Sequence, residues 1–316
     1  MTWQTLPVPP CALGESPFWH PDEQMLYWLD IPGRQIHRAG VSNGLNPAVL
    51  NDTLQSWTMP SEPGSIAPAK TQGQASGWVI ALRDGIYRAA QWGGNLEQLV
   101  EANHDPATTR FNDGKADPHG RFWAGTMYEP RDVHKAQLFS LDCRWGKTPA
   151  LEFKAGHAVI SNGLAWSPDA ATVYWADTPS HTVQAWDWDA QSNAMTEHRV
   201  FQQWSAKPAG WQFGMPGYGG RPDGAAVDVA GNYYVAMFEG ARILKISPWG
   251  QLLADWPVPA QCPTMPCFGG ADLKTLFVTT ARQNRSAAEL SAYPDSGCVF
   301  SMRVDVPGLP VNFFQD

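Results

Sequence analysis

Four short segments of this chain place an oxygen-bearing side chain beside a glycine, next to an apolar run. They contain Gly14-Glu15, Asn112-Asp113-Gly114, Asn162-Gly163 and Asp223-Gly224. Carboxylate and amide oxygens are the ligands that Ca²⁺, Mg²⁺ and Mn²⁺ prefer, whereas Zn²⁺ more often takes His or Cys. If the fold brings the four segments together, their side chains could bind one hard divalent cation.

The same pairs have a second interpretation, because Asn-Gly and Asp-Gly are also common turn signals. For any single pair the turn is the simpler interpretation. Recurrence of the pairs at the same phase of successive repeats favours a site. Glu15 is the strongest single candidate, since a buried carboxylate without a partner is costly and an acid inside GESPFW therefore indicates function.

The four segments belong to a pattern that returns six times along the chain. The copies are GESPFWHPDEQMLYWLDI (14–31), GSIAPAKTQGQASGWVIAL (64–82), FNDGKADPHGRFWAGTM (111–127), SNGLAWSPDAATVYWADT (161–178), PDGAAVDVAGNYYVAMF (222–238) and FGGADLKTLFVTTAR (268–282). Their anchors fall at about 15, 64, 112, 162, 223 and 269, with one longer step after Asn162. A long period of this kind indicates a repeat architecture.

Each copy holds short β-branched and aromatic runs bounded by turn residues, with almost no helical periodicity. One four-stranded sheet per copy accounts for the period. Six such sheets around an axis predict an all-β, six-bladed β-propeller in a single domain, 1–316. A solenoid is the competing repeat fold, but solenoid periods are usually shorter. Residues 2–8 precede the first copy and could complete the sheet of the last one.

In a propeller the first strand of every blade lines the central channel. The four segments are therefore expected to converge on one mouth of that channel. The 16 Trp are expected to fill gaps between adjacent blades, where they bury a large area.

Composition and charge exclude several classes of partner. The net charge of −8 and the absence of Lys/Arg clusters argue against nucleic acid. No apolar run approaches about 18 residues, so no membrane span is expected. MTWQTLPVPP lacks a basic start and an apolar core, which predicts a cytoplasmic protein without a signal peptide. The five Cys are expected to be reduced and mostly buried.

Five segments carry a family resemblance. GESPFW, RFNDGKADPHGRFWAGTM, ISNGLAWSPD, PDGAAVDVAGNYYVA and CFGGADLKTLFVTTAR resemble, in order, segments of the SMP-30/gluconolactonase/regucalcin family. The resemblance implies a six-bladed propeller that hydrolyses sugar lactones with the help of one divalent cation. The implied metal ligands are Glu15, Asn162 and Asp223, and the implied substrate-binding residues are Arg110, Asn112 and Glu129. Around Glu129 the sequence TMYEPRD departs from the family pattern.

The implied chemistry is physically coherent. Water attacks the ring carbonyl of the lactone, and a cation stabilises the developing oxyanion. Asp223, kept ionised by the cation, would accept the proton of the attacking water, and hydroxide bound to the cation is the alternative nucleophile. Ca²⁺ is the first expectation for the cation, with Zn²⁺, Mg²⁺, Mn²⁺ or Fe²⁺ as alternatives.

Three other functions are compatible with parts of the pattern. The same cation could polarise the P=O bond of a phosphotriester, or the protein could bind calcium in a regulatory role without catalysis. A protein-interaction propeller is the third alternative, but it would not need oxygen ligands from several blades at one mouth. The extra residues of the long step between Asn162 and Asp223 fall at 205–220. This segment is predicted to place Trp211, Phe213 and Tyr218 in a wall or lid over the lactone, with a plain insertion or an oligomer contact as alternatives.

Overall fold

The strands assemble into six small sheets, as a computed structural model of residues 2–41 and 53–316 shows. The first strand is β1 (Gln4–Thr5), which belongs to the last sheet. Blade 1 comprises β2 (Gly14–His20), β3 (Met25–Asp30), β4 (Gln35–Gly40) and β5 (Gln55–Thr58). Blade 2 comprises β6 (Ser65–Thr71), β7 (Gln74–Leu82), β8 (Gly85–Ala89) and β9 (Glu97–Glu101). Blade 3 comprises β10 (Thr109–Ala116), β11 (Phe122–Tyr128), β12 (Ala136–Leu141) and β13 (Leu151–Ala158).

The second half of the chain repeats this arrangement. Blade 4 comprises β14 (Ser161–Trp166), β15 (Thr172–Asp177), β16 (Thr182–Asp189) and β17 (Ala194–Gln203). Blade 5 comprises β18 (Arg221–Val227), β19 (Tyr233–Phe238), β20 (Arg242–Ile246) and β21 (Leu252–Pro257). Blade 6 comprises β22 (Pro263–Gly269), β23 (Thr275–Thr280), β24 (Phe300–Arg303) and the returning β1. The connections include helix α1 (Ala287–Ala292) and 3₁₀ turns at Arg144–Gly146 and Thr178–Ser180.

The first strands of neighbouring blades contact one another around a closed ring, from β2 through β6, β10, β14 and β18 to β22 and back to β2. The predicted six-bladed β-propeller is therefore confirmed. The predicted single domain over 1–316 stays a prediction, because Met1 and residues 42–52 lie outside the described part of the chain.

Both ends of the described chain are built into sheets. Strand β1 pairs antiparallel with β24, with Gln4 opposite Ser301, which confirms that residues 2–8 complete the last sheet. A further strand, β25 (Phe314–Gln315), pairs parallel with β6. Blade 2 therefore has five strands, where four were expected. Phe314 is fully buried in the cluster between blades 2 and 3, and this apolar burial stabilises the added strand.

Large aromatic side chains fill the space between blades. Trp28, Trp123 and Trp175 are fully buried. Trp123 of blade 3 meets Trp166 of blade 4 edge to face, with ring centroids 5.5 Å apart. These Trp side chains fill the space between blades as expected, whereas Trp145 and Trp249 are exposed and do not. All five Cys are buried and free, as expected.

The anchor of the sixth repeat was wrong by five residues. Gly269 is the last residue of β22, and the position equivalent to Glu15 is Thr264, the second residue of that strand. Strand β22 reads PTMPCFG, and its start lacks the polar residue beside glycine that marks the other copies. The glycine pair at 269–270 lies at the opposite end of the strand and was mistaken for that pattern.

Candidate active site

A bulge interrupts the innermost strand of four blades at each predicted oxygen-bearing residue. The pairing register shifts between Glu15 and Phe18 in β2, between Phe111 and Gly114 in β10, between Asn162 and Ala165 in β14, and between Pro222 and Ala225 in β18. A bulge leaves a residue outside the ladder and re-aims its side chain. These four bulges direct side chains into one end of the channel.

The glycines beside the oxygen-bearing residues serve these bulges and not turns. Asn162-Gly163 and Asp223-Gly224 lie inside strands, so the turn interpretation of these pairs is wrong. Gly163 has φ +61°, and a Cβ there would lie 2.5 Å from the Tyr233 hydroxyl of the next blade. A Cβ at Gly224 would lie 2.4 Å from the side chain of Met265 in blade 6. The glycines allow neighbouring inner strands to approach closely at the site.

All six predicted site residues line one cavity of about 470 Å³ at this end of the channel. They are Glu15, Arg110, Asn112, Glu129, Asn162 and Asp223. Five of the six are at least nine-tenths buried, and Glu129 is more exposed. The expected convergence of the segments on one mouth is therefore observed.

A chain of hydrogen bonds fixes the two asparagine amides. Arg110 Nη1 donates to Asn112 Oδ1 at 2.8 Å, and Asn112 Nδ2 donates to the Ser161 carbonyl at 2.8 Å and to Asn162 Oδ1 at 3.0 Å. Because a guanidinium only donates and a carbonyl only accepts, the orientation of Asn112 is determined. Asn162 is held in turn, since its Nδ2 donates to Thr178 Oγ1 at 2.8 Å. The two bonds fix which end of the Asn162 amide is the oxygen, and this side chain lines the cavity.

The two carboxylates of the predicted metal site are buried close together. Burial raises the pKa of Glu15 well above its ordinary value, and the charges of Asp223 and Asp113 raise it further. Burial and Asp113 likewise raise the pKa of Asp223. Burial lowers the pKa of Arg110 to about 10. The cavity therefore concentrates negative charge that the neighbouring arginines compensate only in part.

Asp113 differs from the other polar residues of the four segments, because it turns into the wall. Its Oδ2 accepts from the backbone N–H of Leu164 at 3.0 Å, while Oδ1 is buried without a hydrogen-bond partner. Burial raises the pKa of Asp113, and the charge of Lys115 opposes that effect. Asp113 therefore acts on the site through its charge and not through contact with the cavity.

The donor set fits a hard divalent cation. Two carboxylates and one oriented amide oxygen come from blades 1, 5 and 4, and no side chain in the described ranges donates a hydrogen bond to the Asp223 carboxylate. Within residues 2–41 and 53–316, no group of three His, Cys, Asp or Glu could hold a metal, so the site depends on Asn162. All-oxygen donors favour Ca²⁺ or Mg²⁺ over Zn²⁺.

Glu129 reaches the cavity as part of an ion-pair network. Its carboxylate accepts from Arg83 Nη1 at 2.9 Å, and Arg83 also pairs with Glu62 at 2.9 and 3.0 Å. Arg110 Nε lies 3.8 Å from Glu129. Glu129 is therefore held at the edge of the cavity beside the guanidinium that orients Asn112.

The aromatic residues of the 205–220 segment do not line this cavity, so the predicted wall or lid is not observed. Tyr218 is hydrogen-bonded to His181 at 2.9 Å, and its ring lies 5.0 Å from that of Trp211. Phe213 packs edge to face on Tyr293 at 6.1 Å. On this side the lining residues include Phe238 and three arginines instead.

Sequence reasoning missed those arginines and the hydroxyl that holds Asn162. Arg131, Arg221, Arg285 and Thr178 all line the cavity. Arg221 lies two residues before Asp223 in the sequence, so its proximity to a predicted ligand could have identified it as a site residue. Arg131 and Arg285 lie in connections after β11 and β23, where no repeat phase marks them.

The family of the chain follows from a comparison with known proteins. The SMP-30/Gluconolactonase/LRE-like region matches residues 13–282. The chain belongs to this family. The family assignment confirms the resemblance seen in GESPFW and the four later segments.

Several members of the SMP-30/gluconolactonase family are similar over nearly their whole length. A 6-deoxy-6-sulfogluconolactonase of Pseudomonas putida is 42% identical over 301 residues, covering 95% of this chain and 94% of the relative. Regucalcin of Danio rerio is 33% identical over 305 residues, with 94% and 93% covered. The pentonolactonase XacC of Haloferax volcanii is 31% identical over 304 residues, with 95% and 94% covered.

The solved structures agree on the fold. The crystal structure of a calcium-binding protein, regucalcin, from Agrobacterium tumefaciens superposes with a TM-score of 0.84 at 24% identity, covering 98% of this chain and 96% of that one. At this identity the likeness shows the propeller alone. No helix within the described ranges is long and apolar enough to cross a membrane.

Proposed function

We propose that this protein hydrolyses sugar lactones to aldonic acids with one divalent cation, for which Ca²⁺ is the first candidate. The observation that carries the proposal is the convergence of Glu15, Asn162 and Asp223 from three blades in one cavity. Family membership supports it, because similar members are named as lactonases of sulfogluconolactone and pentonolactone. The proposed substrate of this chain is accordingly a small sugar lactone.

Glu15, Asn162 and Asp223 would hold the cation, which when bound supplies a Lewis acid beside the lactone carbonyl. Asp223 has the proton-accepting role. Its carboxylate would take the proton from the water that attacks the carbonyl, in addition to helping to hold the cation. A positioned general base of this kind accelerates a reaction by roughly 10²–10⁴-fold.

Arg110 and Asn112 orient the lactone. Both N–H groups of Asn112 are already engaged, by Ser161 and by Asn162, so its amide faces the substrate only through Oδ1. That oxygen can accept from a sugar hydroxyl. Arg110 keeps its charge although burial lowers the pKa to about 10, and its guanidinium can donate to the ring or carbonyl oxygens.

One experiment separates this proposal from its competitors. The protein is stripped of metal with a chelator, and acid release from a panel of aldonolactones is measured before and after Ca²⁺, Mg²⁺, Mn²⁺ or Zn²⁺ is restored. Hydrolysis that returns with a cation supports the proposal. Cation binding without hydrolysis of any lactone would overturn it in favour of a regulatory calcium-binding protein, and a preference for a phosphotriester substrate would overturn it in favour of the other hydrolase.

A further inference from the structure

Two arginines in the cavity have no role in the hydrolysis itself. Arg131 lies in the connection after β11 with φ +60°, a backbone conformation that non-glycine residues seldom adopt. Arg221 is the first residue of β18. Both side chains line the cavity that holds the predicted metal ligands. Arg131 follows a strand of blade 3 and Arg221 begins a strand of blade 5.

These guanidinium groups are incompletely paired. Among the described residues, no carboxylate lies within 4.0 Å of the Arg131 guanidinium. Arg221 Nε is buried without a hydrogen-bond partner. Within 4.0 Å of Arg221, the described residues place the carboxylate of Glu239, 3.4 Å from Nη2. Arg131 is exposed, so the cost of a buried donor without an acceptor falls on Arg221 Nε, which a ligand's acceptor would satisfy.

Glu239 is already shared among several cations. It accepts from Lys207 Nζ at 2.9 and 3.0 Å and from Arg285 Nη1 at 3.2 Å, in addition to its contact with Arg221. Arg285 has a second partner in Glu289, at 2.7 Å. Lys207, Arg221 and Arg285 therefore share the two carboxylates of Glu239 and Glu289, and neither carboxylate is paired with Arg131.

The two arginines line the same cavity. Burial lowers the pKa of Arg131 and the positive charge of Arg221 lowers it further, whereas the charge of Glu129 opposes these effects. Like charges held in a partly buried cavity attract an anion between them. Guanidinium groups bind tetrahedral oxyanions through paired N–H donors, which makes a sulfonate or phosphate group the matching ligand.

We infer that Arg131 and Arg221 form a subsite for an anionic sulfonate or phosphate group carried on the exocyclic carbon of the lactone. The inference rests on the proposed function and narrows its substrate to anionic sugar lactones. A relative 42% identical to this chain is named for a sulfonated gluconolactone, which agrees with the subsite. Neutral lactones would occupy the metal end of the cavity but leave the two arginines unpaired.

A simpler role exists for Arg221 alone. Its charge lowers the pKa of Asp223, so Arg221 could serve only as a counter-ion to the carboxylates. That role does not account for Arg131, whose guanidinium has no carboxylate partner among the described residues. Arg131 is therefore the residue on which the test depends.

The test compares three lactones that differ at one carbon: gluconolactone, 6-deoxy-6-sulfogluconolactone and 6-phosphogluconolactone. The measured quantity is kcat/KM of each anionic lactone divided by that of gluconolactone. In Arg131→Gln this ratio is expected to fall roughly 10- to 100-fold, mainly through KM, because one charge-assisted hydrogen-bonding group is lost. Arg131→Lys should recover part of it. Comparing the two anionic lactones shows whether sulfonate or phosphate is the better ligand.

Arg199→Gln is the matched control, since it makes the same change in net charge. Arg199 is an exposed residue of β17 that pairs with Asp187 at 2.7 Å and lies outside the cavity. Its ratio is expected to equal that of the wild type. An equal fall in both variants, or no fall in Arg131→Gln, would overturn the subsite.

A binding measurement makes the result independent of turnover. By calorimetry, 6-deoxy-6-sulfogluconate, the hydrolysis product, should bind wild type more tightly than gluconate does, and Arg131→Gln should remove the difference. Equal binding of the two acids by wild type would overturn the subsite. If wild type hydrolyses gluconolactone but shows no preference for anionic lactones, only the subsite fails. If metal-loaded wild type hydrolyses none of the three lactones, the proposed function itself fails.

Discussion

Blades 1, 3, 4 and 5 supply the predicted ligands and substrate contacts, whereas the equivalent positions of blades 2 and 6 carry hydroxyls. In blade 6 this residue is Thr264, whose Oγ1 donates to the Gly14 carbonyl at 2.6 Å and lies 2.8 Å from Thr279 Oγ1. In blade 2 it is Ser65, which is fully buried. The hydroxyl of Thr264 thus joins blade 6 to blade 1, while Glu15 beside Gly14 faces the cavity.

The difference shows how one scaffold divides its inner strands between two tasks. The Thr264 hydroxyl is bonded within the wall and stabilises the ring, whereas Ser65 Oγ has no hydrogen-bond partner. A buried carboxylate whose charge is compensated only in part destabilises the ring unless a ligand compensates, and such groups are typical of functional sites. Substitutions at these positions in blades 1, 3, 4 and 5 should therefore lower activity. Substitution of the bonded hydroxyl in blade 6 should instead lower stability.

Asp223→Asn should have the largest effect on catalysis. The amide keeps an oxygen ligand but removes the proton acceptor, so kcat at saturating metal is expected to fall by roughly 10²–10⁴-fold. Lactone turnover and metal affinity are measured separately. Asp187→Asn, at an exposed position of blade 4, is the control. Near-normal turnover of metal-loaded Asp223→Asn would assign the proton-accepting role to another group.

Glu15→Gln tests the cost of the buried carboxylate pair. Removal of one of two neighbouring negative charges should weaken metal binding by at least about 10-fold. The same change should raise the stability of the metal-free protein, on the order of 1 kcal/mol, because repulsion and desolvation are relieved. Thermal unfolding with a chelator and with Ca²⁺ measures both effects. A lower Tm in the chelator would contradict the explanation.

Arg110→Ala should lower kcat/KM for lactones by roughly 10- to 100-fold. The guanidinium both faces the substrate and donates to Asn112 Oδ1, so its loss removes a substrate contact and one of the bonds that hold the amide. Stability should change little, because burial of the charge already opposes its contribution. A large drop in Tm with intact specific activity would show that Arg110 is structural.

Thr264→Val should have the smallest effect on activity and a clear effect on stability. The variant loses the bond to the Gly14 carbonyl, which is buried, and the free energy of unfolding should fall by about 1–3 kcal/mol. Urea unfolding measures this loss. Turnover and metal affinity should stay within about twofold of wild type, and a large loss of either would place Thr264 in the site.

The sequence predicted the blades and the convergence of three polar residues on one cavity because both depend on a periodic pattern. Glu15, Asn162 and Asp223 recur at one phase, and the propeller brings equal phases together. Arg131 and Arg285 lie in connections of unequal length, where position within the repeat does not predict which residues reach the cavity. Trp211 and Tyr218 were placed in a wall on the composition of 205–220 and its position directly before Asp223, and they pack against each other instead. A strand of two residues such as β25 is too short to show any period.

The closure of the ring by β1 and β25 also constrains how the protein is made. Strand β1 leaves the ribosome well before its partner β24, which lies almost 300 residues later in the sequence. Strand β6 likewise waits for β25. Folding that depends on such distant pairings is slow, and unpaired strand edges can associate with other chains. The propeller therefore closes only after β24 and β25 have been synthesised, and its yield should depend on chaperones that shield the open ring during that interval.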